Sequence, residues 1–119
     1  MADVLVIGAG IGGLTLALEL HKRGIACQVY ESAPAIKAVG VGINILPHAS
    51  AVLAELGLEP ALARVAVETA EAAFFNRFGQ LIYKEALGKR AGYQWPQFSI
   101  HRGDLQTILL EAHQQAMVL

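Results

Sequence analysis

Cysteine is nearly missing from the 119-residue sequence. Cys27 is the only one, so no internal disulfide can form, which fits a reducing, cytoplasmic setting and suggests a small buried hydrophobe. An excess of basic charge is missing too. Nine Lys and Arg stand against ten Asp and Glu, and a net charge of −1 offers nucleic acid no electrostatic footprint. His21, His48 and His113 are scattered without metal-ligand spacing, so no metal is expected. Low-complexity tracts and internal repeats are absent. The opening Met1-Ala2-Asp3 lacks the positive charge that begins a secretory signal. The apolar run that follows meets Glu19, His21, Lys22 and Arg23 before the roughly 20 residues a spanning helix needs. No membrane partner is expected.

Apolar residues, by contrast, are plentiful. They make up 55% of a chain with room for one domain, and mean hydropathy is +0.46. A domain this small must present much of its surface to water, so parts of that surface are expected to lie against something larger.

The stretch VLVIGAGIGGLTLALEL, Val4 to Leu20, carries the main signal. Val4 to Ile7 has the aliphatic, β-branched character of a buried parallel strand. Gly8, Gly10 and Gly13 then complete G-x-G-x-x-G, with Ile11 and Gly12 inside it. In a dinucleotide-binding turn the first glycine allows the tight bend and the second lets backbone approach a pyrophosphate. The third lets helix and strand pack closely. A helix is predicted over Leu14–Arg23, with Gly24 as its stop, and its N-terminal N–H groups would hold phosphate charge. A second strand, Ile25–Tyr30, ends in Glu31, about 20 positions past the glycines, where a carboxylate accepts hydrogen bonds from an adenosine ribose. The plainer alternative is an α/β turn without a ligand. Strand, glycines, helix, stop, strand and acid in succession favour the nucleotide reading.

Beyond Glu31, residues Ser32–Ala38 read as a loop. Val39–Ile45 is extended and holds Gly40 and Gly42, which suggests close backbone approach or a β-bulge. Helices are predicted over Pro47–Leu56, ended by Gly57, and over Glu59–Arg64. From Glu68 the pattern becomes antiparallel, with a hairpin turn at Asn76-Arg77-Phe78-Gly79. Residues of about 68–98 are expected to form an inserted, substrate-side segment. Tyr93 and Trp95 suit a pocket wall, though an aromatic pair beside a proline more often serves packing. A strand over Phe98–His101 and a helix over Gly103–Ala116 follow, with Leu105, Ile108, Leu109 and Ala112 on one face. Arg102 stands where it can reach an anion; the plainer role is a surface ion pair with Asp104. His101 suits a structural hydrogen bond as well as it suits catalysis.

These residues resemble the single-component, flavin-dependent aromatic hydroxylases of the p-hydroxybenzoate and salicylate hydroxylase type. Within that family the phenazine hydroxylase type is the nearest in look. The likeness covers the whole chain and rests on GAGIGGL (Gly8–Leu14), Glu31, GVGINI (Gly40–Ile45), PHASAVLAELGL and SIHRGDLQTILL (Ser99–Leu110). It implies a Rossmann-like α/β fold for an FAD domain, with the pyrophosphate on Gly8–Gly13 and the ribose on Glu31. Gly42 and Ile43 match the loop that passes near the flavin. Arg102 and Gln106 match the family's flavin-contacting Arg and Gln. The implied chemistry is reduction of FAD by NADH or NADPH, then use of O₂ to hydroxylate a small aromatic substrate. No residue is marked as a catalytic acid or base.

Family members are longer. They carry a later Asp-Gly segment and a Gly-Asp segment that holds the ribityl chain. The only Gly-Asp here, Gly103-Asp104, belongs to the Arg102 motif. The chain is therefore expected to be the N-terminal portion of such a monooxygenase, inactive by itself. Two other readings stay open: an NAD-dependent dehydrogenase module, and a nucleotide-binding fragment without catalysis.

Overall fold

A computed structural model describes residues 2–33 and 40–116. In chain order the elements are β1 (Val4–Ile7), α1 (Ile11–Lys22), β2 (Cys27–Tyr30), β3 (Gly42–Ile45), α2 (Pro47–Glu55) and α3 (Glu59–Val65). They continue with β4 (Val67–Thr69), β5 (Glu71–Phe75), β6 (Leu81–Ala86), a 3-10 turn at Gly88–Ala91, β7 (Gln97–His101) and α4 (Arg102–Ala116). The chain divides into two units, one of Met1–Val41 with His101–Leu119 and one of Gly42–Ile100. Most of the loop expected over Ser32–Ala38, together with Val39 and the final Met117–Leu119, lies outside the described residues.

The first unit is the expected βαβ start. Strands β1 and β2 pair in parallel, Val4 opposite Cys27 through Ile7 opposite Tyr30. Helix α1 covers them with Leu14, Ala17 and Leu18, all buried, and α4 packs on α1 with Leu105 and Leu109. Cys27 is buried in this core, its thiol 3.9 Å from the Ala17 carbonyl. Two boundaries differ from expectation. Helix α1 begins at Ile11 rather than Leu14, because Gly12 and Gly13 sit in its first turn. Strand β2 begins at Cys27 rather than Ile25, because the Ile25 N–H still serves the end of α1 by donating to the Leu20 carbonyl at 2.9 Å.

In the second unit the strands order β3-β7-β4, with β4 antiparallel to β7. Leu53 of α2 and Leu62 of α3 are buried, as are Ile45, Phe98 and Ile100 of the strands. The antiparallel hairpin β5–β6 forms its own two-stranded sheet, irregular at Phe74/Phe75. Asn76 organises its turn: its side-chain oxygen accepts the N–H groups of Phe78 at 2.9 Å and Gln80 at 3.0 Å. No helix among the described residues is long and apolar enough to cross a membrane.

Candidate functional site

Strand β1 ends at Ile7 and α1 begins at Ile11, so Gly8, Ala9 and Gly10 make the whole turn. Two glycines of the motif are required by the protein itself. Gly8 holds φ at +107°, a conformation L side chains rarely adopt, while its N–H donates to the Tyr30 carbonyl at 2.6 Å. A Cβ at Gly13 would lie 2.0 Å from the Gly8 carbonyl oxygen. The other two have no such reason. Gly10 has φ −78° and ψ −173°, open to any residue, and a Cβ at Gly10 or Gly12 would meet no protein atom within 4 Å. Their missing side chains keep clear the space at the head of α1.

That head carries no compensating group of its own. It has no side-chain cap and no acidic residue in its first turn. The Leu14 N–H is the first to find a helical acceptor, the Gly10 carbonyl at 3.0 Å, so the N–H groups of Ile11, Gly12 and Gly13 precede the ladder. Unsatisfied donors and the helix dipole together attract phosphate.

Ala9, 4% exposed, is held at both of its backbone groups. Its N–H donates to Glu31 Oε1 at 2.9 Å. Its carbonyl accepts from Gln106 Nε2, also at 2.9 Å, from a position 97 residues along the chain. The second oxygen of Glu31 accepts the Ala33 N–H at 3.0 Å. The bonds from Ala33 and then Ala9 hold the Glu31 carboxyl below its ordinary value of 4.5. Glu31 stays exposed, and two oxygens with about four lone-pair sites leave acceptor capacity beyond these bonds.

Helix α4 brings the later motif to this unit. Arg102 stands one turn before Gln106 on the same face of the helix. The Arg102 stem lies over Gly40, where a Cβ would come 3.2 Å from Arg102 Cδ, and its N–H donates to the Val41 carbonyl at 2.9 Å. What approaches the glycine backbone is therefore the arginine. Among the described residues no ion pair joins Arg102 to Asp104. His101 takes the structural role, its Nδ1 accepting the Gly103 N–H at 3.1 Å. The buried stripe of α4 is turned relative to expectation: Gly103 and Gln106 join Leu105 and Leu109, while Ile108 and Ala112 are half-buried. The polar Gln106 is accommodated because Ala9 satisfies it.

The first unit thus gathers Gly8–Gly13, Glu31 and Gln106 around Ala9. Gly42, exposed, and Ile43, half-buried, lie in the second unit on β3. Sequence reasoning passed over Ala9, since an alanine between two glycines advertises nothing; its contribution is entirely backbone.

The second unit also holds a cleft of about 790 Å³, lined among others by Asn44, His48, Glu85, Tyr93, Trp95 and Gln97. Pro96 is the fully buried member of its segment, which leaves Trp95 half-buried and Tyr93 exposed along the cleft wall. The aromatic pair lines a cleft instead of filling the core. Away from both features, the rings of His21 and His113 stand 5.4 Å apart. Among the described residues no group of three His, Cys, Asp or Glu gathers to hold a metal ion.

Comparison with known proteins adds a family. The model of the FAD binding domain matches residues 1–118. Phenazine 1,6-dicarboxylic acid hydroxylase of Lysobacter antibioticus is 47% identical over 111 residues, covering 92% of this chain and 27% of that protein. 3-Hydroxybenzoate 6-hydroxylase of Polaromonas naphthalenivorans is 38% identical over 117 residues, covering 94% of this chain and 29% of that one. Among solved structures, p-nitrophenol 4-monooxygenase from Pseudomonas putida superposes with a TM-score of 0.78 at 26% identity, over 98% of this chain and 29% of its own. The chain spans somewhat over a quarter of the length of the relatives it matches.

Proposed function

The chain belongs to the FAD-binding-domain family, and on that premise we propose that its Gly8–Gly13 turn cradles the FAD pyrophosphate of an aromatic-ring monooxygenase. The observation that carries the reading is Gly10. Neither its backbone angles nor its protein neighbours require a glycine, yet a side chain there would fill the space before an uncapped helix head. A pyrophosphate is the group that fits such a place. The family match favours FAD over NAD for a turn that suits both.

In this reading the N–H groups of Ile11, Gly12 and Gly13 hold phosphate oxygens, and Glu31 accepts from ribose hydroxyls with its remaining lone pairs. Arg102 places its guanidinium beside the cofactor from a stem fixed over Gly40. Gly42 and Ile43 offer backbone near the flavin. When bound, FAD would supply the redox chemistry of ring hydroxylation, with NADH or NADPH as electron donor and O₂ as oxidant. The protein binds, orients and excludes water. The relatives act on carboxylated and phenolic rings by their names, and the Trp95-lined cleft supports a small planar aromatic substrate on the 68–98 side.

The test is the visible spectrum of the purified full-length protein, followed by NAD(P)H oxidation and product analysis with a panel of aromatic acids. Flavin absorption and ring hydroxylation are expected. A colourless protein that takes up no FAD on titration defeats the reading.

A further inference from the structure

The family resemblance implies a flavin contact for Gln106; from its bond to the Ala9 carbonyl we infer instead that it is a positioning residue, which aims the Gly10 N–H at the cofactor. The inference rests on the pyrophosphate reading of the turn. It starts from the two peptide planes around Ala9. Glu31 binds the N–H of Ala9 and so fixes the plane that joins Gly8 to Ala9. Gln106 binds the carbonyl of Ala9 and so fixes the next plane, from Ala9 to Gly10.

Carbonyl and N–H point in opposite directions across a trans peptide. With the Ala9 carbonyl turned to Gln106, the Gly10 N–H must point away from α4. Among the described residues no protein acceptor takes that N–H. It joins the free donors of Ile11, Gly12 and Gly13 at the head of α1.

A turn with glycine on both sides of Ala9 is otherwise free to rotate this plane, since glycine restricts φ and ψ least of all residues. Gln106 removes that freedom in advance, and it can do so because it is itself fixed. Its side chain is 9% exposed, on a helix whose Leu105 and Leu109 are locked in the core. Donors set before binding cost no ordering when the ligand arrives.

Two substitutions in the full-length protein test this. Gln106→Leu keeps the bulk and removes the donor, leaving a buried carbonyl unpaired. FAD affinity should weaken about tenfold. In the FAD-free protein, hydrogen exchange of a peptide covering residues 4–14 should quicken. Gln106→Glu adds a readout that simple structural damage does not move. A buried carboxyl has a raised pKa and donates only when protonated, so FAD affinity should recover toward wild type as pH is lowered.

Unchanged exchange in the FAD-free Gln106→Leu protein, with weakened affinity, would mean that Gln106 contacts FAD directly and would overturn the inference. Faster exchange with unchanged affinity would overturn it also, as would a Gln106→Glu protein whose affinity ignores pH. If Gln106→Leu fails to fold, protection of residues 4–14 in FAD-free Gln106→Glu decides: it should rise as pH is lowered, and protection that ignores pH would overturn the inference. Failure of wild type to bind FAD would instead defeat the pyrophosphate reading, and the exchange of residues 4–14 keeps the two failures apart.

Discussion

Glu31 and Ala9 are joined across the first βαβ unit: the carboxylate that follows β2 accepts the N–H of the residue at the centre of the glycine turn, at 2.9 Å. One charged side chain thereby shapes the turn and, in the proposed reading, also meets the ribose. The hydrogen bonds from Ala33 and Ala9 favour the ionised form and lower its pKa below 4.5. A group with a depressed folded pKa contributes stability above its unfolded value and loses it as pH falls through the folded one.

The first prediction follows from that sign. FAD affinity should be flat with respect to Glu31 at neutral pH and should decline only in acid, below the ordinary carboxylate range, because the bonds from Ala33 and Ala9 hold the group ionised to lower pH. Glu31→Ala should weaken FAD about tenfold or more at neutral pH, through loss of charge-assisted bonds. Fluorescence titration at several pH values measures both. Equal affinity in the variant would reduce Glu31 to a charge at a strand end.

The second prediction separates the glycines of one motif. Gly13→Ala puts a Cβ 2.0 Å from the Gly8 carbonyl and should destabilise the fold by about 3 kcal/mol, read as a lowered thermal midpoint. Gly10→Val places its Cβ in open space and should leave helicity and thermal midpoint near wild type while abolishing flavin retention. Circular dichroism and flavin content, measured on both variants, give the contrast. Similar outcomes for the two would remove the argument from Gly10.

Why the sequence predicts this turn so well, and its clamp so poorly, is a matter of range. Val4–Ile7, the three glycines and the Gly24 stop act on neighbours within a few residues, so their letters carry the structure. Asn76 likewise organises a turn that its own side chain closes. The bond between Gln106 and Ala9 spans 97 residues and uses a backbone carbonyl, which has no letter. The same cause explains the rotated stripe of α4. Leu105, Ile108, Leu109 and Ala112 form the more apolar face, yet the helix turns to bury Gln106 because a partner waits in the turn. Trp95 escaped the core for a local reason: Pro96 beside it is the residue fully buried.

The third prediction concerns the cleft wall. Trp95 is half-buried and large, so Trp95→Ala removes aromatic surface from the cleft without opening the first unit's core. The KM for an aromatic acid should rise about tenfold, with flavin content unchanged. Steady-state kinetics over the substrate panel reports it. A loss of flavin with no change in KM would place Trp95 in support of the fold instead.

The last prediction treats a polypeptide of these 119 residues by itself. Phe74, Phe75, Phe78, Leu81, Ile82 and Tyr83 are all more than half exposed, on a two-stranded hairpin whose outer edges pair with no other strand among the described residues. Open edges and contiguous apolar surface promote association, so sedimentation should show oligomers or aggregates. Hydroxylation also requires that a reactive flavin and its substrate be enclosed away from water. The described residues supply a glycine turn at an uncapped helix head in one unit and an accessible cleft in the other; in the proposed reading neither alone encloses a ring. NAD(P)H oxidation with added FAD should therefore yield no hydroxylated product from this polypeptide, while the ADP portion of the cofactor binds weakly at the turn. Robust product from the 119 residues would show instead that they alone assemble a water-excluding site.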